Sequence, residues 1–166
     1  MAGMEWERCS GRTKPILVIA TGFGLGLSPV ASGTAGTLPG LLIAAGMALA
    51  PIQWQMAVAL VLSGLAVPIC DVAERHFNRK DDGRIVADEF LTFPLCTIGL
   101  PVLAEPWTLG AAFVINRVFD VIKPPPARGL QKLPGGWGIV ADDVFSSLYA
   151  LLTNHLVYRL FHLLAS

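Results

Sequence analysis

Two pairs of adjacent carboxylates are the residues best placed to do chemistry in this sequence. Asp88-Glu89 and Asp142-Asp143 each lie where a charged segment meets an apolar one. Neighbouring carboxylates repel one another unless they share a cation, and paired oxygen ligands suit Mg²⁺. Each pair alone could instead mark a helix N-terminus, where the helix dipole favours negative charge. Because the chain has two such pairs, we predict that all four residues are metal ligands and catalytic residues.

A second group of side chains is suited to binding a phosphate group. Asp120 and Lys123 are three residues apart, so both can lie on one side of a helix that Pro124 ends. Lys123 could then neutralise phosphate, with Asp120 as an additional catalytic carboxylate. Arg117 is a further candidate for substrate binding. The alternative is that these charges form a solvated ion pair, which contributes little.

An uncharged segment, residues 31–39, is the third candidate. Its glycines would let backbone amides converge, Thr37 could cap a helix, and Pro39 fits a first helical turn. Together these features predict an anion nest at a helix start, with Ser32, Thr34 and Thr37 as substrate-binding residues. Ordinary helix capping is the alternative. The segment is not a P-loop, because no Gly-Lys-Ser or Gly-Lys-Thr follows it.

The composition indicates that these residues belong to a membrane protein. Of the 166 residues, 54% are hydrophobic and 14% are charged, and the mean hydropathy is +0.61. The formal net charge is zero, so no basic field would attract nucleic acid. Apart from Glu105 and Arg159, the charged residues fall into three segments, which are Glu5 to Lys14, Asp71 to Glu89 and Arg117 to Asp143. Charged segments therefore alternate with apolar stretches.

The apolar stretches predict helices that cross a membrane. A span needs roughly 20 apolar residues, and the stretches are Leu38 to Cys70, Phe90 to Ile115 and Val144 to Leu164. Breaks near Pro51 and at Pro101 and Pro106 would turn the first two into short hairpins. We therefore predict an all-α, polytopic helical membrane protein with a single domain over residues 1–166. A compact water-soluble protein with buried apolar helices is the alternative.

The two hairpins would leave all three charged segments on one face of the membrane. That face would carry eleven of the twelve Lys and Arg residues, since only Arg159 lies elsewhere. Positive residues mark the cytoplasmic side of membrane proteins. We therefore expect the acidic site to face the cytoplasm.

Four separated blocks of sequence carry a family resemblance. The first joins residues 20–24 (ATGFG) to 32–38 (SGTAGTL), and the others are residues 81–90 (DDGRIVADEF), 117–124 (RVFDVIKP) and 135–143 (GGWGIVADD). With this order and spacing the chain resembles phosphatidylglycerophosphatase A, a family of small bacterial membrane phosphatases. Two departures exist, because Leu91-Thr92 and Ser146-Ser147 stand where the family usually has glycine or Ala-Gly.

The resemblance implies a fold, a reaction and a location. It implies an all-helical protein of the bacterial cytoplasmic (inner) membrane that hydrolyses phosphatidylglycerophosphate to phosphatidylglycerol and phosphate with Mg²⁺. The expected partners are this phospholipid and other membrane lipids. In the expected mechanism the four paired carboxylates, helped by Asp120, hold Mg²⁺ against the phosphate. Lys123 and the residue 34–37 loop would bind its other oxygens. The sequence leaves the oligomeric state open.

Other chemistries fit this sequence less well. None of the three cysteines has an arginine six residues later, as a cysteine-based phosphatase needs, and we expect reduced thiols. No Asp-x-Asp nucleophile motif is present. A transporter or channel would line an ion path with acids, but only Glu105 lies within an apolar stretch. A signal peptide over residues 15–27 is disfavoured by the acidic residues Glu5 and Glu7.

Overall fold

The regular structure of the chain is helical throughout the part described by the computed structural model, residues 13–165. Its α-helices are α1 (Thr13–Ala20), α2 (Ser32–Met47), α3 (Ile52–Phe77), α4 (Ala87–Thr92), α5 (Trp107–Ile122), α6 (Ala127–Leu130) and α7 (Gly136–Ala165). Two 3₁₀ turns, Leu25–Leu27 and Phe93–Thr97, complete it. The predicted all-α class is confirmed for these residues. Cys9 and most of the first charged segment lie outside them.

Helix α4 lies in the middle of the bundle. It packs against α1, α2, α3 and α7, and the 3₁₀ turn Phe93–Thr97 continues from it towards α5. Phe90 is buried in a cluster with Leu17 of α1 and Cys70 of α3. Phe93 is fully buried in a second cluster that α2, α5 and α7 complete. Burial of these apolar side chains stabilises α4 in one position, and α4 carries the first carboxylate pair.

The two predicted chain breaks are confirmed. Helix α2 ends at Met47, and α3 begins directly after Pro51. The second break covers residues 98–106, and α5 begins directly after Pro106. The first leg of this second hairpin is only α4 and its 3₁₀ turn, and most of it is buried. This leg is therefore shorter than the roughly 20 helical residues of a full span.

The fully buried side of helix α3 consists mainly of small residues, and several large apolar residues face outward. The buried side is a seam at helical spacing, made of Ala59, Ser63, Ala66, Cys70 and Ala73. Leu60, Val61 and Leu65 on the other side are 63%, 61% and 51% exposed. Small residues at helix contacts are typical of membrane proteins, in which large apolar side chains can face lipid. This arrangement is the reverse of the water-soluble alternative, which would bury the large side chains.

One described helix, α3, is long and apolar enough to cross a membrane by length and composition. Helices α2 and α5 have 16 residues each, and α7 has Asp142, Asp143 and Arg159 along its 30 residues. Even so, the outer faces of α2, α5 and α7 are apolar. Their exposed large side chains include Leu42, Val114, Val118, Leu152 and Leu156. Of the predicted crossings, α3 alone meets the requirements of a full span within residues 13–165.

A polar cluster lies at the end of the bundle remote from the carboxylate pairs. Glu105, in the second break, accepts hydrogen bonds from Trp107 Nε1 at 2.9 Å and from Tyr158 Oη at 3.1 Å. His162 Nε2 also lies 3.1 Å from Glu105. His162 follows Asp143 by 19 residues of α7, which places them about 28 Å apart along the helix axis. Glu105 therefore has local partners and does not approach the acidic residues.

The start of α2 differs from the prediction. The helix begins at Ser32 after Ala31, which has left-handed backbone angles and makes no side-chain cap. Thr37 therefore lies inside the helix, where its hydroxyl donates to Gly33 O at 2.8 Å, and Pro39 lies inside it as well. The predicted helix-capping role of Thr37 and first-turn position of Pro39 are wrong. A left-handed residue that ends the preceding loop starts this helix without a capping side chain.

Candidate active site

Carboxylates from three helices converge inside the bundle. Asp88 of α4 and Asp143 of α7 are 7% and 5% exposed. Burial raises the pKa of Asp143 well above its ordinary value, and the nearby charges of Asp88 and of Asp120 on α5 raise it further. Carboxyl groups this close repel one another unless a proton or a cation lies between them. The structure therefore brings together three of the acidic residues that the sequence indicated from positions far apart in the chain.

The acidic cluster contains unpaired oxygens. Asp88 Oδ1, Asp142 Oδ1 and Asp143 Oδ2 are buried and have no hydrogen-bond partner in the described structure. Burial raises the pKa of Asp88 well above its ordinary value, and the neighbouring Glu89 raises it further. Burial also raises the pKa of Glu89 to about 7, although the Arg117 guanidinium opposes the shift. The cluster therefore disfavours its full negative charge unless a cation compensates for it.

Lys123 is one cation beside the cluster. Its ammonium contacts Asp142 Oδ2 and lies 3.7 Å from Asp120 Oδ1. Gln131 Nε2 donates to the same oxygen of Asp142 at 3.0 Å. Lys123 follows the last residue of α5 and has left-handed backbone angles, which turn the chain towards α6. Lys123 and Asp142 thus lie together, while Gln131 is a polar contact that its residue type and spacing did not indicate.

Arg117 is the second cation, and it connects two acidic residues. Its Nη1 lies 2.8 Å from Glu89 Oε2 and 3.0 Å from Asp120 Oδ2. Thr37 Oγ1 lies 2.9 Å from Glu89 Oε2, so its single hydroxyl proton is shared between this oxygen and Gly33 O. Thr37 and Arg117 therefore meet at Glu89, which is held by two donors. Through Asp120, this group is continuous with Lys123 and with Asp143.

Close helix contacts hold the site together. A Cβ atom added at Gly36 of α2 would lie 2.4 Å from the Cβ of Val86, the residue before α4. A Cβ added at Gly136, at the start of α7, would lie 2.0 Å from the carbonyl oxygen of Val67 on α3. Only glycine permits both approaches. The backbone of α7 therefore approaches α3 closely at Gly136, and Gly36 brings α2 close to the start of α4.

The remaining predicted substrate-binding residues lie at the edge of the site. Ser32 borders a surface groove that Arg79, Gly83 and Arg84 also line. Thr34 is exposed and borders a different groove, which runs along α5. No hydrogen bond joins Ser32 or Thr34 to the carboxylates within residues 13–165. The structure thus places these two beside the acidic cluster and not in it.

The donor set suits a magnesium ion in its chemistry. Carboxylate oxygens are the ligands that Mg²⁺ prefers in proteins, and three of the four predicted ligands each keep an unpaired buried oxygen. Among the described residues, however, no group of three or more His, Cys, Asp and Glu side chains has its donor atoms arranged to hold a metal. Lys123 contacts Asp142, and Arg117 contacts Glu89. The residues present therefore fit Mg²⁺ in two respects: their ligand atoms are carboxylate oxygens, and three of these oxygens have no other partner.

The fold and the site together define a helical protein with an acidic centre and two cations suited to phosphate chemistry. The family model described as phosphatidylglycerophosphatase A matches residues 18–158. The Haemophilus influenzae phosphatidylglycerophosphatase A is 34% identical over 140 residues, which are 83% of this chain and 85% of the relative. The Escherichia coli protein of that name is 33% identical over 139 residues, 82% of this chain and 79% of the relative.

A third relative comes from Bacteroides thetaiotaomicron. It carries a provisional description as a phosphatidylinositol-3-phosphatase and is 33% identical over 149 residues, 83% of this chain and 89% of the relative. No solved structure shows a significant match to the chain. The chain belongs to the phosphatidylglycerophosphatase A family, and it is a phosphatase. This confirms the resemblance seen in the sequence and excludes the transporter alternative as its main activity.

Proposed function

We propose that this protein hydrolyses phosphatidylglycerophosphate to phosphatidylglycerol and phosphate, with Mg²⁺, in the bacterial cytoplasmic membrane. Family membership supports the substrate. The observation that carries the chemistry is the buried group of Asp88, Asp142 and Asp143, each with an unpaired oxygen, beside Lys123 and Arg117. Buried acids without partners are rare unless a cation or a reaction explains them.

The residues of the site would divide the work of phosphate transfer. Asp88, Asp142 and Asp143 would hold Mg²⁺, which supplies charge neutralisation at the phosphate oxygens when bound. Lys123 and Arg117 can neutralise further oxygens, and Asp120 lies close enough to both to orient them. Glu89 fixes Arg117 from the other side. Phosphate transfer depends chiefly on positioning and charge stabilisation, so water can displace the lipid alkoxide without a covalent intermediate.

The outer surface of the bundle supports a position within the bilayer. The exposed large apolar side chains of α2, α3, α5 and α7 would need lipid around them, because water-soluble proteins rarely expose such extensive apolar surface. The acidic site and the cluster around Glu105 are about 28 Å apart along α7, close to the roughly 30 Å of a bilayer core. We infer that the two clusters lie at opposite membrane faces, with the acidic site at the cytoplasmic face.

The short helices fit this position with a modest adjustment. A 16-residue helix such as α2 or α5 is about 24 Å long. It would therefore require local thinning of the bilayer or flanking polar residues at the interface. Asp88 and Glu105 would then lie at opposite faces, so the chain between them would cross the bilayer through α4, its 3₁₀ turn and the break that follows, enclosed by the neighbouring helices. This arrangement is polytopic, with α3 as its full span.

Phosphate release from the purified protein tests the chemistry. Asp143→Asn should lower the turnover of phosphatidylglycerophosphate by about a hundredfold or more, the scale of losing one preorganised electrostatic contact. Glu74→Gln is the matched control, because Glu74 is a carboxylate of α3 outside the acidic cluster. Membrane insertion of both variants should equal that of the parent.

The possible outcomes distinguish the magnesium dependence from the phosphatase activity itself. Turnover of the parent should stop when a chelator removes Mg²⁺ and return when Mg²⁺ is restored. Undiminished turnover in the chelator would refute the metal dependence while leaving the phosphatase in place. Equal activities of Asp143→Asn and Glu74→Gln would refute the role of the acidic cluster.

A further inference from the structure

A groove runs along the outer face of α5 and borders the active site at Arg117. It has a volume of about 510 Å³ and is lined by Thr34, Phe113, Val114, Arg117, Val118, Val121 and Ile122. Its α5 residues recur at helical spacing and form one stripe along the helix. From Phe113 to Ile122 this stripe is about 14 Å long. The volume falls within the range of small-molecule binding sites, about 300–1,000 Å³.

The groove combines an apolar wall with one cation. Val114, Val118 and Val121 are 59%, 46% and 74% exposed, so the wall is open to the surroundings of the bundle. The side chain of Arg117 is 20% exposed, and its Nη1 contacts Glu89 of the acidic cluster. One residue therefore belongs both to the groove and to the site. A ligand in this groove would meet apolar side chains along its length and a guanidinium beside the carboxylates.

We propose that this groove binds an acyl chain of the lipid substrate and thereby positions its phosphate at the acidic cluster. The lipid substrate has an anionic head group and apolar chains. The groove offers the Arg117 guanidinium to the head group and the apolar side chains of α5 to a chain. The inference rests on the proposed function, because it assigns the acyl part of the same substrate. The groove lies on the lipid side of α5, so the substrate enters sideways from the bilayer. Val114 is then a residue that determines preference for acylated over water-soluble substrates.

Two variants with the same substitution test the groove. Val114→Trp fills it, whereas Val61→Trp adds the same side chain to a valine of α3 that is 61% exposed and lies outside the groove. Phosphate release would be measured with diacyl phosphatidylglycerophosphate in mixed micelles and with its deacylated, water-soluble head group. Val114→Trp should raise KM for the diacyl lipid about tenfold or more, as expected when roughly two methylene groups lose their burial. Its kcat/KM for the deacylated head group should match the parent, and Val61→Trp should leave both substrates unchanged.

A labelling experiment tests the same inference without turnover. Phosphatidylglycerophosphate with a photoreactive diazirine in one acyl chain should label residues 113–122 of the parent, and excess unlabelled substrate should prevent it. Equal labelling of α3 around Val61 would overturn the proposal, as would equal losses on both substrates with Val114→Trp. An intermolecular disulfide formed by Val114→Cys would assign the groove to a second copy of the chain and also overturn it.

The two proposals fail in different ways. If the parent released phosphate from neither substrate, the proposed function would be wrong, and the labelling pattern would still decide whether the groove binds lipid. If the parent were active and the labelling uniform, the groove proposal alone would be wrong.

Discussion

The contact between α2 and the start of α4 gives the sharpest prediction, because it depends on the absence of a side chain at Gly36. A Cβ added at Gly36 would lie 2.4, 2.7 and 2.9 Å from Cβ, Cγ1 and Cγ2 of Val86. Val86 is only 1% exposed, and its Cβ is attached directly to the backbone, so no rotamer change relieves the clash. In Gly36→Ala, α2 and the start of α4 would therefore have to move apart to make room for the added methyl group.

The expected magnitude follows from two opposing effects. Overpacking of a core typically costs about 1–3 kcal/mol, and replacing glycine by alanine inside a helix returns up to about 1 kcal/mol. With a return of about 1 kcal/mol, we expect Gly36→Ala to lower the free energy of unfolding by up to about 2 kcal/mol. Activity should also fall by about tenfold or more, because α4 carries Asp88 and small displacements of catalytic groups are costly.

The matched control lies in the same helix. Gly46 has no atom within 4 Å of an added Cβ, so Gly46→Ala should gain the helix propensity and leave the free energy of unfolding equal or higher. Thermal and denaturant unfolding in detergent, followed by circular dichroism, would measure both variants. Adding Val86→Gly to Gly36→Ala should cost less than the sum of the single changes. If Gly36→Ala proves as stable and as active as Gly46→Ala, the close packing of α2 on α4 does not position the site.

Two further predictions concern the cations and the membrane topology. Lys123→Ala should reduce turnover of the lipid much more than Arg128→Ala, because Lys123 contacts the acidic cluster while Arg128 donates only to a backbone carbonyl at an exposed position; equal losses would show that Lys123 is an ordinary surface charge. Cysteines introduced at Gly83 and Gly129 into a cysteine-free chain should both be labelled from the cytoplasmic side of sealed vesicles. Gly129 lies in α6, and Lys80, just before Gly83, donates to Leu133 O just after α6. Labelling from opposite sides would contradict a shared site.

Part of the fold could be predicted because some prolines and charges mark boundaries directly, although Pro39 and Pro68 lie inside helices. Pro51 and Pro106 each precede the first residue of a helix, and proline is well suited to that position. The paired acids could be recognised for a similar reason, since charge beside an apolar stretch needs a partner. These signals act locally along the chain, so a single sequence contains them.

What could not be predicted depends on contacts between distant segments. The glycines of residues 31–39 suggested a nest for an anion, whereas Gly36 packs against Val86 from a segment fifty residues later. Arg117 and Thr37 were proposed to bind substrate, but their shared contact with Glu89 follows from the packing of α2, α4 and α5. Gln131 carries no signal of its own, because its contact with Asp142 arises from the turn after Lys123. Residue spacing does not determine such partners.

Helix α7 has a consequence for how the enzyme responds to its surroundings. One continuous helix carries Asp143 near its start and His162 near its end, so the acidic site and the cluster around Glu105 keep a fixed separation. In a bilayer, the aromatic and polar side chains near Glu105 would favour the far interface. The length of α7 would then determine the depth of the acidic site relative to the lipid phosphates. A thicker bilayer would draw the site into the head groups, and a thinner one would lift it out. Bilayer thickness, and so acyl-chain length in the surrounding lipid, would tune the reaction without touching any catalytic residue.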